Sequence, residues 1–233
     1  MAIPARPRLI WRPATVTRTT METLTARTIV FHIPQWNPHR AGQHLDLRLT
    51  APDGYQATRS YSLSSGPSEA PQITVERVDG GEVSSFLVET VEDGDTLEIR
   101  GPVGGYFIWA PQPDPLLLIG GGSGITPLRS MWRANTTDAP ATILYSARIR
   151  DRVIYRDELA ARDPATVKIH LTREEHDGYE TGRIDTAALK AALTTTAPPH
   201  TYVCGPTAFV ESVTQALTPL HPDSTMIRTE RFG

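Results

Sequence analysis

Arg59-Ser60-Tyr61-Ser62 puts a cation, a phenol ring and two hydroxyls within four residues. In a strand alternate side chains share a face, so Arg59 and Tyr61 project together while Ser60 and Ser62 oppose them. A guanidinium beside an aromatic ring suits a ligand that is both anionic and flat. Standing alone, the same pattern describes an exposed strand face with polar spacers. Gly80-Gly81-Glu82-Val83-Ser84-Ser85 turns on glycine into a helix start. Unpaired N–H groups at such a start suit a phosphate, and an ordinary serine N-cap reads the same way.

The strongest local signal is Leu116-Leu117-Leu118-Ile119-Gly120-Gly121-Gly122-Ser123-Gly124-Ile125-Thr126-Pro127. An apolar strand runs into glycines and then into a helix with proline in its first turn, where a missing N–H costs little. Glycine permits a sharp turn and close approach to a phosphate, and the helix start adds a positive dipole end. The run departs from the usual dinucleotide fingerprint. Pro127 stands where a third Gly or Ala is expected, and the next strand ends in Ser146 instead of an acidic residue.

These runs need elements to hold them. Up to about residue 111 the chain reads as short β-rich segments: Ala14–Thr20, Ala26–Ile33, His44–Leu49, Arg59–Leu63, Gln72–Val78 and Thr96–Arg100. Alternation in the third puts Leu45, Leu47 and Leu49 on one face. Such spacing predicts a sandwich or small closed barrel, with one helical interlude over Val83–Val91. Ala110-Pro111-Gln112-Pro113-Asp114-Pro115 is a linker, because its prolines continue neither element. After it strands alternate with helices: Leu116–Ile119, Thr126–Trp132, Thr142–Ser146, Tyr155–Ala161, Val167–Leu171, Asp185–Leu193, Tyr202–Val203, Ala208–Leu217 and Met226–Arg228. That order implies a parallel sheet covered on both faces. The expected domains are 1–111 and 112–233.

Composition narrows the function. A net charge of −3 across 233 residues gives no nucleic-acid footprint, and no basic run favours a membrane surface. Met1–Trp11 lacks the apolar core of a secretory signal, and the apolar run at 116–119 is too short to span a bilayer. One cysteine excludes an intramolecular disulfide and an iron–sulfur cluster of the chain's own; a reducing, cytoplasmic setting is expected. The seven histidines are scattered, which argues against a metal site, and each reads as a surface or loop residue. Cys204 alone reads equally as a buried residue at a strand end.

In this order the motifs resemble the ferredoxin–NADP reductase family, from about Arg12 to the C-terminus. The resemblance implies an N-terminal Greek-key flavin-binding β-barrel followed by a Rossmann-like, parallel-sheet NAD(P)-binding domain. It gives Arg59 to the flavin phosphates, Tyr61 to the isoalloxazine and Ser62 to the reactive N5, with Ser60 beside them. Gly81, Val83, Ser84 and Ser85 resemble the pyrophosphate turn, Val75 and Arg77 the strand before it, and Gly101-Pro102-Val103-Gly104 the motif closing the barrel. Gly122, Gly124, Thr126 and Pro127 are similar to the nucleotide loop, and Cys204-Gly205-Pro206 to the strand end beside the nicotinamide. Glu230-Arg231-Phe232 looks like the terminal segment whose ring covers the flavin.

The implied activity is hydride transfer from NADPH or NADH to bound flavin, with Ser62, Cys204, Glu230 and Phe232 nearest the chemistry. FAD is expected ahead of FMN, although the short Asp79-Gly80-Gly81 loop offers no aromatic for an adenine. Thr172-Arg173 resembles a pair that grips a 2′-phosphate, and Arg148 is a second cation. Electrons would pass to a separate iron–sulfur, haem or other oxidoreductase partner. The alternatives are a flavin reductase releasing reduced flavin, and a non-catalytic flavin- or nucleotide-binding regulatory subunit.

Overall fold

The computed structural model describes residues 9–163, 166–194 and 197–232; most of the Met1–Trp11 segment read for a signal therefore lies outside them, as does Gly233. Six antiparallel strands come first: β1 (Arg12–Thr23), β2 (Ala26–His32), β3 (His44–Thr50), β4 (Gln56–Ser62), β5 (Gln72–Glu76) and β6 (Thr96–Val103), in the order β4-β3-β6-β1-β2-β5. A bridge between Leu63 and Ile73 joins the two edge strands and closes the barrel. Leu45 and Leu47 are fully buried in its core and Leu49 packs at the margin, as alternation along β3 requires. Beyond the closing bridge, helix α1 (Glu82–Glu89) packs against β5, β2 and β4.

The second sheet is parallel: β7 (Leu116–Gly121), β8 (Ala141–Ala147), β9 (Val167–Leu171), β10 (Glu180–Thr181), β11 (His200–Pro206) and β12 (Ile227–Phe232), ordered β10-β9-β8-β7-β11-β12. Helices α2 (Ile125–Ala134), α3 (Arg156–Ala160), α4 (Thr186–Ala192) and α5 (Thr207–Leu217) cover it. Strand order reverses between β7 and β11, and ligands of such sheets bind in the crevice outside the strand ends at that reversal. The two-residue β10 escaped the sequence reading because nothing so short has a period.

The expectation that each histidine is a surface or loop residue fails at His170, which is buried within β9; His39 and His221 lie in loops but are buried there. These three are between 2% and 6% exposed. His39 Nε2 lies 3.0 Å from the Ser65 carbonyl, and His221 Nε2 lies 3.0 Å from Thr201 Oγ1. An imidazole with a backbone or hydroxyl partner is satisfied indoors, and sequence spacing does not reveal such partners.

One apolar cluster spans both sheets: Ala41, Phe107 and Trp109 from the barrel side join Leu128, Met131 and Tyr202. Polar contacts reinforce it. Ser130 Oγ donates to the Ser65 carbonyl at 2.6 Å and Arg129 Nη1 to that of Ser64 at 3.0 Å. Arg133 pairs with both Glu69 and Glu158.

Candidate active site

A cleft of about 370 Å³ opens between the sheets, lined from the barrel by Ser60, Tyr61, Ser62 and Val75 and from the second sheet by Thr126, Pro127, Cys204, Glu230 and Phe232. These sequence-predicted residues come from five separate segments and meet in one place. β4 presents Tyr61 opposite Leu45 and Ser62 opposite His44. Asp46 fixes the outward face of β4: it accepts from Ser60 Oγ at 2.7 Å and from Arg100 Nη2 at 2.6 Å. Burial works to raise the Asp46 pKa, and those two donors outweigh it, so the carboxyl sits below its ordinary value.

The ends of β7 and β11 are stripped to glycine for a steric reason. A Cβ on Gly124 would stand 2.2 Å from the Cys204 carbonyl oxygen, and Gly122 holds φ +55°. The turn therefore lies directly against β11, and α2 begins there without a side-chain cap. β12 pairs with β11 in parallel, placing Glu230 beside Cys204 and Phe232 beside Pro206. Phe232 is thus a paired strand residue, 39% exposed on the cleft.

Burial disfavours the charged forms of Tyr61, Cys204 and Glu230 in the cleft. Burial pushes the Tyr61 phenol up to about 12 against the pull of Arg59. Burial, then the Glu230 charge, lifts the Cys204 thiol well above its ordinary value. Burial also raises Glu230, partly offset by Ser62 Oγ, which donates to its Oε1 at 3.4 Å. Ser62, Glu230 and Cys204 thus form a contiguous set that can donate, hold or exchange a proton.

Other predicted residues lie outside the cleft. Val83 is buried, and the Ser84 hydroxyl ties the turn by accepting from Val78 N–H and donating to Gly81 O. The N–H groups of Val83 and Ser84 stand in the first turn of a helix that no side chain caps and can serve a ligand, whereas Gly81 N–H donates to Val78 O and Ser85 N–H to Gly81 O. Arg77 is engaged by Glu89. Arg148, Thr172 and Arg173 gather where β8 and β9 end: Thr172 N–H donates to Ala147 O and Arg173 N–H to Arg148 O. Neither Arg148 nor Arg173 makes an ion pair among the described residues. His44, Thr74, Glu76 and Val78 also line the cleft; sequence reasoning missed them because no motif contains them and only the fold brings them together. Ser123 and Arg231 line it too, inside motifs that assign them no role.

Residues 13–108 match the model of the oxidoreductase FAD-binding domain and residues 118–215 that of the oxidoreductase NAD-binding domain. Ferredoxin–NADP reductase B of Sorangium cellulosum is 36% identical, over 71% of this chain and 73% of that protein. The chain belongs to the ferredoxin–NADP reductase family. The ferredoxin reductase component of 3-ketosteroid-9-alpha-monooxygenase from Rhodococcus rhodochrous is 32% identical over 94% of this chain. The chain spans 64% of that protein's length, and about half of the Burkholderia flavohemoprotein it also matches. In fold it resembles the flavohem-like FAD/NAD-binding domain of nitric oxide dioxygenase from Vibrio cholerae, with a TM-score of 0.84 at 24% identity, covering 95% of this chain and 98% of that one. A Neisseria gonorrhoeae ferredoxin NADP+ reductase with bound FAD and NADP gives 0.78 at 19% identity, over 95% and 98%.

The donor set of this reductase-family fold fits a flavin nucleotide. Arg59 has no carboxylate partner among the described residues and donates to the carbonyl of Thr58 at 2.8 Å. Its guanidinium and the uncapped start of α1 supply groups for an anion, and the half-exposed Tyr61 ring supplies a flat apolar face.

Proposed function

We propose that this chain carries electrons from NADPH or NADH through bound FAD to a separate redox protein. The observation that carries the reading is the single cleft joining Tyr61 and Ser62 of the barrel to Thr126, Cys204 and Glu230 of the second sheet. FAD, when bound, accepts a hydride from a reduced nicotinamide and releases the electrons singly. Arg59 and the first-turn N–H groups of Val83 and Ser84 would hold its phosphates, and Tyr61 would lie against its ring. The turn Gly122–Pro127 takes the nucleotide's pyrophosphate. Ser62 and Glu230 set polarity at the reacting face, and Cys204 stays a neutral thiol there. Phe232 covers the flavin at rest and yields to the nicotinamide. The boundary between the two units falls at residues 111–112, and the setting is cytoplasmic.

Arg148 and Arg173, both without ion pairs among the described residues, favour NADPH: a 2′-phosphate would give each a charge-assisted partner. Tight retention of FAD separates this reading from a flavin-releasing reductase, and turnover separates it from a regulatory subunit. The test is NADPH and NADH oxidation with ferricyanide as acceptor, on wild type and Arg173→Ala. The reading expects turnover with retained FAD, and an NADPH preference that falls about tenfold or more in the variant. Absence of turnover, or a preference that Arg173→Ala leaves intact, counts against it.

A further inference from the structure

Thr28 of β2 and Thr74 of β5 are direct cross-strand partners on the outer face of the barrel. Their hydroxyl oxygens are 2.8 Å apart, and the residues are 6% and 5% exposed. Tyr155 Oη donates to Thr74 Oγ1 at 2.5 Å, and Thr28 Oγ1 donates to Glu22 Oε1 at 2.6 Å. Each hydroxyl owns one proton. Tyr155 gives its proton to Thr74 and Thr28 gives its own to Glu22, so the Thr74 proton turns towards Thr28. The nearest competitor, Ser64 Oγ, is farther from Thr74, at 3.4 Å. The donor order is therefore Tyr155, Thr74, Thr28, Glu22. Thr74 lines the cleft at one end, and Glu22 is half-exposed at the other. Tyr155 is held firmly: its backbone takes φ +58° and the Arg129 guanidinium lies 4.5 Å from its ring centre.

We propose that Thr74 and Thr28 relay a proton from the cleft to the Glu22 carboxylate, with Tyr155 as the positioning residue that orients the Thr74 hydroxyl. This rests on the function proposed above. A hydride carries two electrons and one proton. When two one-electron acceptors each take an electron, NAD(P)H becomes NAD(P)+ and one proton is left in the cleft. Thr74 Oγ1 takes that proton as its own passes to Thr28, and the Thr28 proton passes to Glu22, which gives it to water. Rotation of the hydroxyls resets the chain. The competing exits are Glu230 and direct escape through the cleft mouth.

The test uses the full chain loaded with FAD, reduced anaerobically with one equivalent of NADPH and then mixed with ferricyanide. Return of the flavin colour and release of the proton to an indicator dye are followed together. Thr28→Val should slow both about tenfold, and Thr28→Ser should restore them. Glu22→Gln, at the surface end, should slow proton release in the same way and carries the test if Thr28→Val does not fold. Wild-type rates of proton release in Glu22→Gln, or in a folded Thr28→Val, would overturn the relay and leave Glu230 or water as the exit. A wild-type protein whose flavin neither NADPH nor NADH bleaches would instead defeat the functional reading.

Discussion

Glu230 holds its proton more tightly than an ordinary carboxyl because burial outweighs the Ser62 hydroxyl facing it. A carboxyl raised in the fold binds more proton in the native state than in the unfolded chain, so its contribution to stability falls as pH rises. The fall begins near the ordinary value of 4.5 and ends above the raised one. Glu230→Gln should abolish this component. Thermal melts of both proteins against pH should show wild type losing ground to the variant over that window; parallel curves would contradict it. Arg59 acts at the same scale. Removing a charge-assisted contact to phosphate is worth about 1.5–3 kcal/mol, so Arg59→Ala should weaken FAD binding roughly 10- to 100-fold by fluorescence titration. An unchanged affinity would remove Arg59 from the site.

Elements hold these residues through a few contacts that each join more than one strand. Asp46 on β3 ties Ser60 on β4 to Arg100 on β6. Arg100 is 36% exposed, so solvent screens part of the attraction and Asp46→Ala should cost about 1–3 kcal/mol in denaturant unfolding. A loss well under 1 kcal/mol would mean that this cross-link does not fix β4. At the other wall, Gly124→Ala brings a methyl against the Cys204 carbonyl. Overpacking of that kind costs about 1–3 kcal/mol, and the displaced turn should also lose nucleotide affinity. Wild-type melting and nucleotide affinity together would show that the turn has room to spare. The elements themselves were legible in the sequence because their causes are local: alternation wrote β3, prolines wrote the linker, and an apolar run ending in glycines wrote β7 and its turn. Tyr61 and Thr126, which line the cleft, stand in motifs whose spacing is fixed by strand and helix geometry. His44, Thr74 and Glu76 stand in none: strands distant in sequence bring them to the cleft. The burial of His39 and His221 within their loops was not legible for the same reason: their partners, Ser65 and Thr201, lie 26 and 20 residues away.

At the scale of the molecule, function depends on two sheets held in fixed relation. The cluster joining Ala41, Phe107 and Trp109 to Leu128 and Met131 is apolar and continuous, and Arg129 and Arg133 of α2 reach across to Ser64 and Glu69. An interface of that character couples the units, so calorimetry should show one unfolding transition; two well-separated transitions would mean that the cleft is not held rigid. The central claim is that this rigid cleft brings a reduced nicotinamide to a flavin. Its most direct measurement is the visible absorption spectrum of the purified protein, supplied with FAD and titrated anaerobically with NADPH and NADH. The expected result is a set of flavin bands that one of these nucleotides bleaches at about one equivalent. A protein that takes up no flavin, or whose bound flavin keeps its colour with both nucleotides, would contradict the account.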